Sequence, residues 1–549
     1  MGNWSVAPGV GLFAQRTAAV TDEAMMAARL ARDLPPWLHR TVTLGEARDR
    51  VRRRLAERPA RLLRLARRAV YGNPGSPYLR LLRHAGCELG DFEQLVASHG
   101  VEGTLATLAA SGVYVTFDEL KGRSLAVRGS ARFAFSPAAF DNPSISPHFV
   151  EYTGGTGGTP AVVMRTLGLV EEIGDEIGVM LRAHGLERAR HLFWLSNPVF
   201  QYLYYLKLGQ RDVRWYHPLP WFPFKARLGA RYLAVLGCLA GRPLPIPRYL
   251  DAGQPERLLA MLHRRPRDGR PLVLTTLVSM GVRVAMGARA AGVDLNGVTF
   301  RLQSEPLTEA RHRHLTSVGA GVIHNYALTE LPALGISCAR ARSADDLHFF
   351  SDRHAVIERT RPVAAGGATV DALLFTTLSE HAPKIFLNAE PGDVAQIDRR
   401  ECGCALGTVG LTTHLSQIRS FEKLSAEGVS FARSNLLEVL EQVLPSRFGG
   451  TSLDYQLAEE EGADGAARLI LRVDPVVGRI DADALRATFL AELGRGGMMD
   501  RHHAELLRRA GSVTVRREPP LATAAGKVLP FQPLRRASST TPDGSAPGP

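Results

Sequence analysis

"EYTGGTGGTP", residues 151–160, packs four glycines and three threonines into ten residues and ends on a proline. Glycine adopts positive φ at no steric cost, so backbone N–H groups can converge on an anion there. The threonine hydroxyls can donate to phosphate oxygens. Turns of this composition usually only connect two elements, and no Gly-Lys-Ser/Thr follows, as a Walker A loop requires. The stretch indicates a phosphate-binding loop, with a plain connecting turn as the alternative.

The chain around this stretch alternates helical patterns with short β-branched runs from about residue 130 to residue 415. Examples of such runs are "PLVLTTLVS" (271–279), "GVTFRLQS" (297–304) and "DALLFTTL" (371–378). Alternation of this kind predicts an α/β domain built on a largely parallel sheet.

The two ends of the chain differ from this middle part. Residues 1–120 carry helical periodicity, whereas residues 452–518 read as a hairpin, a helix and a further strand, a smaller α+β unit. The final segment has no apolar side chains to bury and is expected to be disordered. We therefore predict a helical region at 1–125 that belongs to the large domain, a core at 126–418, a small domain at 419–531 and a tail at 532–549.

Composition excludes several classes of protein. The 549 residues are 45% hydrophobic and 22% charged, as in globular proteins, and no apolar run is long enough to span a membrane. Without a signal-peptide pattern, the expected location is the cytoplasm. The net charge of +13 is concentrated in a basic helical stretch at 48–68, which we interpret as a solvated surface helix. Membrane or nucleic-acid binding is the alternative, but no nucleic-acid motif supports it.

A second stretch, "RLQSEPLTEARHRHLTSVGAGVIHNYALTE" (301–330), reads as strand, turn, helix, strand and a turn that ends in an acid. Glu330 would lie at the carboxyl edge of the sheet, where ligand sites of α/β proteins form. The carboxylate could hold Mg²⁺ against a nucleotide phosphate, while Tyr326 could stack on a base. A helix N-cap formed by Thr329 and Glu330 is the alternative.

Two further residues stand in suggestive positions. Asp393, in "EPGDVAQI" (390–397), precedes an apolar strand. This is the position of an acceptor for a ribose hydroxyl, and an ordinary turn aspartate is the alternative. Lys527, in "ATAAGKVLPF" (522–531), is one of only six lysines in the chain. It could reach a phosphate or carboxylate in another domain, or lie in solvent near the tail.

These four stretches, in this order, resemble the motifs of the adenylate-forming superfamily of acyl-CoA synthetases and related ligases. "GVYVTFDELKGR" (112–123) further resembles the phenylacetate–CoA ligase-like branch, and the resemblance covers roughly residues 75–531. The fold it implies is α/β, with a large N-terminal adenylate-forming domain of mixed sheets, a helical N-terminal extension and a small, mobile C-terminal α+β domain.

The resemblance also implies roles for individual residues. The phosphate-binding residues would be Thr153, Gly154, Gly155, Thr156, Gly157 and Gly158. Ser304, Glu305 and Pro306 would border adenine, with Tyr326 stacking near it. Thr329 and Glu330 would serve the α-phosphate and Mg²⁺, and Asp393 the ribose. Arg419 would stand at the start of the interdomain hinge segment. Lys527 would stabilise the transition state of adenylation.

The sequence departs from the family pattern at four positions. The loop has Thr159 where the family usually has lysine. In "SEP" (304–306), which resembles the family's "GEP" turn, Ser304 replaces the glycine. Ala327 replaces the glycine of the "Y-G-x-T-E" motif, and Glu390 stands at the position of an arginine. Because Glu330, Asp393 and Lys527 remain, we expect an active enzyme.

Cysteine and histidine spacing suggests a metal site. Cys402 and Cys404 can present two thiolates from one turn, and Cys338 with His348 could complete a Cys₃His set suited to Zn²⁺. The resembled branch holds a structural zinc at similar positions. The alternative is four unrelated residues. The aromatic-rich segment 191–233 reads mainly as core, although in this family the region also lines the acyl pocket.

The expected activity is ATP-dependent activation of a carboxylic acid, aryl or related, as an acyl-adenylate. Coenzyme A is the expected acceptor, and ATP and Mg²⁺ the expected cofactors. The runner-up is a stand-alone amide synthetase that passes the acyl group to an amine in specialised, antibiotic-type metabolism. A catalytically weak binding homologue is a third possibility.

Overall fold

The computed structural model describes residues 8–152, 162–220, 224–252, 254–264, 268–362, 369–420, 425–426, 429–430, 436–451, 454–461, 467–495, 498–521 and 531–532. The side chains of some residues within these ranges, Arg419 among them, are not described. The loop residues 153–158, the hinge region 421–424, Lys527 and the tail lie outside the described residues.

Helices dominate the N-terminal region, as the periodicity predicted. They are α1 (Pro8–His39), α2 (Leu44–Ala56), α3 (Arg58–Leu65), α4 (Pro77–His84), α5 (Leu89–Ala110) and α6 (Phe117–Leu120), with a π-helical turn at Ala66–Tyr71. Capping boxes fix two of the starts, because Thr43 pairs with Glu46 at α2 and Thr116 with Glu119 at α6.

Two short hairpins follow. The first joins β1 (Ala126–Arg128) to β2 (Ala131–Phe133) and precedes a 3₁₀ turn at Pro137–Phe140. The second joins β3 (Phe149–Tyr152) to β4 (Val162–Arg165) in antiparallel register. Its two strands flank the glycine-rich loop.

Parallel strands and helices alternate through the middle of the chain. The strands are β5 (Arg190–Trp194), β6 (Val213–His217), β7 (Arg248–Tyr249), β8 (Leu272–Leu277), β9 (Val298–Gln303) and β10 (Gly321–Tyr326). The helices are α7 (Leu167–Ala183), α8 (Val199–Lys207), α9 (Phe224–Leu239), α10 (Pro255–His263), α11 (Val278–Ala290) and α12 (Glu309–Thr316). Every residue of β8 is buried, as expected for a central parallel strand covered on both faces.

The same sheet continues in antiparallel strands. These are β11 (Gly335–Ser337), β12 (Leu347–Phe349), β13 (His354–Pro362), β14 (Thr369–Thr377), β15 (Asp393–Arg399) and β16 (Thr413–Ser420), with the short helix α13 (Ala405–Thr408). Among the described residues the full strand order is β13-β14-β15-β16-β12-β11-β10-β9-β8-β5-β6-β7. The sheet is therefore mixed, parallel from β10 to β7 and antiparallel elsewhere.

The C-terminal part builds a second sheet. Its elements are β17 (Ser425–Ala426), β18 (Val429–Ser430), α14 (Leu436–Glu438), a π-helical turn at Val439–Val443, α15 (Leu444–Phe448), β19 (Tyr455–Glu461), β20 (Ala467–Val473), a 3₁₀ turn at Pro475–Val477, α16 (Ala482–Leu493), α17 (Met498–Ala510), β21 (Val513–Arg516) and β22 (Phe531–Gln532). The strand order is β21-β20-β19-β22, and the sheet has its own apolar core around Tyr455 and Phe489.

Helix α17 contacts the large sheet. Leu506 packs into the core of the parallel half, and the Ser196 hydroxyl lies 2.6 Å from His502 Nε2. Arg509 donates to Asp251, which follows β7, at 2.6 Å. Positions 502, 506 and 509 share one helix face, so α17 presents that face to the carboxyl ends of β5 and β7.

The basic stretch 48–68 is only in part the solvated helix that the sequence suggested, because five of its arginines are exposed and others are buried. Arg54 is 7% exposed and pairs with Asp175 at 2.6 Å and with Asp352 at 2.8 Å, and Arg61 pairs with Glu172 at 2.8 Å. These arginines join α2 and α3 to α7, so part of the basic charge is used inside the protein. None of the described helices combines the length and apolar character needed to cross a membrane.

The described part of the aromatic segment up to Leu219 is mainly core, as expected, whereas Phe224 at the start of α9 is 73% exposed. The fully buried side chains of the segment include Trp194, Tyr202, Tyr204, Tyr205 and Trp215. Arg301 of β9 donates to the Tyr204 and Tyr205 hydroxyls, at 2.6 and 3.2 Å, so two phenols hydrogen-bond this buried cation.

Candidate active site

The carboxyl edge of the parallel strands collects several of the predicted site residues. Strands β9 and β10 are neighbours, with Gln303 paired with Asn325. Ser304 directly follows β9, and Tyr326 is the last residue of β10. Because the two strands are parallel, both residues lie at the same edge of the sheet, where α/β proteins bind ligands.

Ser304 occupies a conformation that suits glycine. Its φ is 71°, in the left-handed region, and the residue is exposed. The resemblance leads one to expect glycine here, and the backbone keeps the shape that glycine would adopt without strain. The departure at 304 therefore changes the side chain and leaves the turn intact.

The next residue of the turn, Glu305, lies inside the protein. It is 4% exposed, and its carboxylate lies 3.8 Å from the Arg311 guanidinium, which also donates to the Pro306 carbonyl at 2.7 Å. His324 Nε2 contacts the Glu305 carbonyl at 3.0 Å. These contacts hold the turn in place from the interior of the protein. Ser304 and Pro306 are the less buried residues of the turn.

Tyr326 and Asp393 form a buried pair. The Tyr326 hydroxyl donates to Asp393 Oδ2 at 2.8 Å. Burial, together with the adjacent carboxylate, raises the pKa of Tyr326 well above its usual range, so the phenol stays protonated and keeps donating. The structure thus brings together two residues that lie 67 positions apart, both predicted for the same nucleotide.

Glu330 has a cationic partner that the sequence reasoning missed. Lys121 Nζ lies 2.6 Å from Glu330 Oε1, and the two side chains are 13% and 15% exposed. Lys121 follows α6, within the stretch "GVYVTFDELKGR". Because the chain has only six lysines, Lys121 could have been noticed as a candidate functional residue. Nothing in the sequence indicated that Glu330 would be its partner.

Thr329 connects this acid to the hairpin that carries the glycine-rich loop. Arg165, the last residue of β4, donates to the Thr329 carbonyl at 2.6 Å and to Glu151 of β3 at 2.5 and 2.8 Å. Arg165 is 1% exposed. The hairpin that carries the loop is therefore anchored next to Thr329 and Glu330, although the loop residues themselves lie outside the described part of the chain.

Two arginines of β13 compensate the departure at Glu390. Glu390 is fully buried, is paired with Arg361 and lies 3.5 Å from Arg359. Burial raises the pKa of Glu390, and the two arginines oppose that shift. A carboxylate thus replaces the expected arginine, and two arginines of β13 neutralise it.

The remaining predicted residues are described only in part. Arg419 lies in β16, where its backbone pairs with Val394 of β15, one residue after Asp393. The phosphate-loop residues 153–158 and Lys527 lie outside the described residues, so their predicted roles stay predictions.

All four predicted metal ligands meet around the His348 ring. His348 Nε2 lies 3.1 Å from Cys404 Sγ and 3.4 Å from Cys402 Sγ, and its Nδ1 lies 2.7 Å from the Leu411 carbonyl. Cys338 is hydrogen-bonded to Cys404, and that bond, with help from His348, lowers the pKa of Cys404 although burial opposes it. The same contact raises the pKa of Cys338, so within this pair the negative charge is favoured on Cys404.

A fifth candidate ligand, His414, was missed. It lies directly opposite His348 in the β12–β16 pairing, and its donor atom is within 4.8 Å of those of Cys338, His348 and Cys402. Its Nδ1 contacts Asp346 at 2.8 Å, which leaves Nε2 as the atom toward the cluster. Only strand register could have revealed His414, because it lies ten residues beyond the C-x-C turn.

Two glycines shape the cysteine turn. Gly403 has a φ of 71°, which folds the chain back between Cys402 and Cys404. A Cβ at Gly407 would lie 2.9 Å from Cys402 Sγ. The turn therefore needs small residues at both positions to bring the sulfurs close to His348.

Comparison with known proteins gives a fold match only. No protein-family model matches the chain, and no curated protein matches it. The solved structure of 2-hydroxyisobutyryl-CoA ligase in complex with 2-HIB-AMP and CoA aligns with a TM-score of 0.50 at 15% identity, over 90% of this chain and 91% of that one.

Another similar structure is an amide bond synthetase from Marinactinospora thermotolerans, with a TM-score of 0.39 at 15% identity, over 78% of this chain and 77% of that one. The anthranilate CoA ligase AuaEII, in complex with anthranoyl-AMP, aligns with a TM-score of 0.32 at 14% identity, over 69% of this chain and 65% of that one. The chain has the α/β fold of the adenylate-forming enzymes, as its motifs predicted.

Proposed function

We propose that this protein is an ATP-dependent ligase that activates a carboxylic acid as an acyl-adenylate, releases pyrophosphate, and transfers the acyl group to coenzyme A. The observation that supports it most is the Arg165 anchor, which attaches the hairpin of the glycine-rich loop to Thr329, beside Glu330. Phosphate-binding backbone and an acid suited to a phosphate-bound cation would thus share one edge of the sheet.

Adenylation needs positioning and charge neutralisation more than covalent help from the protein. Asp393, held by Tyr326, would accept from the ribose, and Thr329 would contact the α-phosphate. Glu330 would hold Mg²⁺, which lowers the charge repulsion between the phosphates and the incoming carboxylate. Lys527 would stabilise the charge that develops at the α-phosphate.

The position of Lys121 adds a cation to this edge. The loop lacks the usual lysine, because Thr159 stands there. Lys121, 2.6 Å from Glu330, would supply positive charge near the phosphates from a different part of the chain. We include it among the phosphate-binding groups of the proposed site.

The division of the chain into two moving units is part of the proposal. Residues 419–531 would form the C-terminal unit, whose own core is built around Tyr455 and Phe489. Rotation after β16 would withdraw Lys527 and admit the acceptor, a hinge motion between two half-reactions.

We further propose a structural Zn²⁺ in the cysteine–histidine cluster. Cys338, His348 and Cys402 would supply three ligands, with Cys404 or His414 as the fourth. Thiolate and imidazole donors at this spacing suit four-coordinate zinc. The ion would tie β12, β16 and the C-x-C turn together.

The experiment that tests the proposed function measures pyrophosphate release with ATP, Mg²⁺ and a panel of aryl and fatty acids. Coenzyme A or an amine is then added, and each acceptor is followed separately. Release that depends on the acid, followed by consumption of coenzyme A, is expected. Acylation of the amine alone would reassign the acceptor, and no release with any acid would reject the activity.

A further inference from the structure

Helix α9 has apolar side chains on its outer face as well as on its inner face. Ala230, Leu233 and Leu236 belong to the buried core of the parallel half. Four large apolar side chains on the opposite side are 58–73% exposed: Phe224, Leu228, Val235 and Leu239. With 3.6 residues per turn, these four positions fall within about 60° of the helix circumference and extend for about 22 Å. We call them the α9 stripe.

Neighbouring elements lie on both sides of the α9 stripe. On one side α1 packs against α9, where the Tyr232 hydroxyl donates to the Ala27 carbonyl at 2.7 Å and Lys225 lies 3.4 Å from Glu23. On the other side a cleft of about 200 Å³ lies between α9 and β7. The stripe is the part of α9 that faces away from the protein between these two flanks.

The far wall of the cleft extends the apolar surface. Ile246, before β7, and Tyr249, in β7, both line the cleft and are exposed. Of the twelve large apolar side chains that are exposed in the described part of the chain, six fall between residues 224 and 249. Single exposed apolar residues are normal, whereas a group of neighbours marks an interaction surface.

Arginines border these apolar side chains. Arg227 and Arg231 line the cleft from α9 and Arg248 lines it from β7, and all three are exposed. The sequence contains no aspartate or glutamate from residue 213 to residue 250. The next acid along the chain, Asp251, is paired with Arg509 at 2.6 Å. The surface is therefore apolar and positively charged.

A bilayer that contains anionic lipids matches both properties. Apolar side chains on one helix face can enter the boundary between headgroups and acyl chains, while arginines beside them reach the lipid phosphates. Each cation near an anionic membrane surface adds to the attraction. A protein partner would need an apolar groove shaped for the stripe and acids placed for the arginines. A lipid surface needs no matching groove, so the observations favour it.

We propose that the α9 stripe, with Ile246, Tyr249 and the arginines of the cleft, attaches this protein to the surface of membranes that contain anionic phospholipids. α9 would lie along the membrane, with its stripe toward the acyl chains and Arg227 and Arg231 at the depth of the phosphates. Because the attachment rests on a few side chains and on charge, it is reversible and weakens at high salt.

Vesicle flotation tests this attachment. Full-length protein is mixed with vesicles of phosphatidylcholine alone, or of phosphatidylcholine with phosphatidylglycerol, and is floated through a density gradient at a series of lipid concentrations. We expect the wild type to float with the anionic vesicles, to float much less with the neutral ones, and to be released by salt. The assay needs no substrate, so its result is independent of the proposed function.

Two double variants separate the apolar contribution from the charged one. Leu228→Gln/Leu239→Gln should lower the partition coefficient on anionic vesicles by at least about tenfold, because two apolar side chains no longer enter the lipid. Arg227→Gln/Arg231→Gln should lower it by about twenty-five-fold, about fivefold for each lost charge. The arginine variant should bind neutral vesicles as the wild type does.

Matched controls change similar side chains elsewhere. Val127→Gln/Val476→Gln replaces two exposed apolar side chains outside this surface, and Arg289→Gln/Arg313→Gln removes two exposed arginines of α11 and α12. Both controls should float as the wild type does. Circular dichroism confirms that every variant is folded.

Three results would overturn the inference. The first is wild-type protein that does not float with anionic vesicles, and the second is a pair of double variants that float normally. The third is wild-type protein that stays off the vesicles and forms dimers in light scattering, which Leu228→Gln/Leu239→Gln dissociates. That result would assign the α9 stripe to contact between two copies of this chain.

Discussion

At Ser304 a single residue carries backbone strain at the edge of the candidate site. Its φ of 71° is costly for a residue with a Cβ. We predict that Ser304→Gly raises the free energy of unfolding by about 1 kcal/mol, because the strain is removed and part of the gain is offset by the entropy of glycine. Urea unfolding measures the change, with Ser304→Ala, which keeps the Cβ, as the control. Equal stability of the two variants would show that the turn is unstrained.

The contact between Lys121 and Glu330 gives a second prediction at this scale. Both side chains are largely buried, so removal of the ammonium leaves a carboxylate without this partner and takes a cation from the phosphate edge. We expect Lys121→Met to lower kcat/KM for MgATP by about tenfold to a hundredfold. Lys121→Arg should retain most of the activity. A Lys121→Met enzyme with normal dependence on MgATP would remove Lys121 from the site.

Among the elements, β12 and β16 pair with each other, and the C-x-C turn meets β12 at the cysteine–histidine cluster. Loss of one thiolate should therefore release the turn. We predict that Cys402→Ser lowers the zinc content per protein and the Tm, whereas Cys238→Ser, which changes an exposed free cysteine, changes neither. Elemental analysis and thermal melting provide the two measurements. Wild-type protein that contains no metal would reject the zinc proposal.

The elements show how far sequence alone could go. β-branched runs predicted β8, β9 and β14, because buried strands leave a local pattern. Residues that follow strands, such as Ser304, were also predictable, since parallel strands end at one edge. His414, Lys121 and Arg165 were not, because register and long-range contacts bring them to their sites, and no local pattern encodes these.

The basic stretch 48–68 was predicted only in part. Helical spacing was correctly read, but Arg54 and Arg61 lie inside the protein because α7 supplies acids opposite them. The pairing of a buried charge is a property of two elements together. Sequence periodicity reports only which face of one helix is apolar.

On the scale of the whole molecule, buried histidines make stability depend on pH. Burial lowers the pKa of His191 and of His502 to about 3 and that of His503 to about 4. Their unfolded pKa is about 6.5, so the unfolded state takes up protons first. Stability is present above about pH 6.5 and is lost as pH falls toward 4, by about 1.4 kcal/mol per pH unit for each histidine.

His191→Phe isolates one of these contributions. The ring stacks on Tyr205, with centroids 3.9 Å apart, so phenylalanine should keep the packing and remove the proton uptake. We predict a smaller loss of unfolding free energy between pH 7 and pH 5 than in the wild type. His99→Phe, at an exposed position, is the control. The same pH dependence in both variants would show that burial of His191 does not contribute.

The whole account depends on adenylation, and ATP–pyrophosphate exchange tests it most directly. The wild type is assayed with Mg²⁺ and the acid panel beside Lys527→Ala, with circular dichroism to confirm that both proteins are folded. We predict exchange that requires one class of acid and falls at least about a hundredfold in the variant. Folded wild-type protein that gives no exchange with any acid would contradict the central claim, and normal exchange by Lys527→Ala would contradict the role of that lysine.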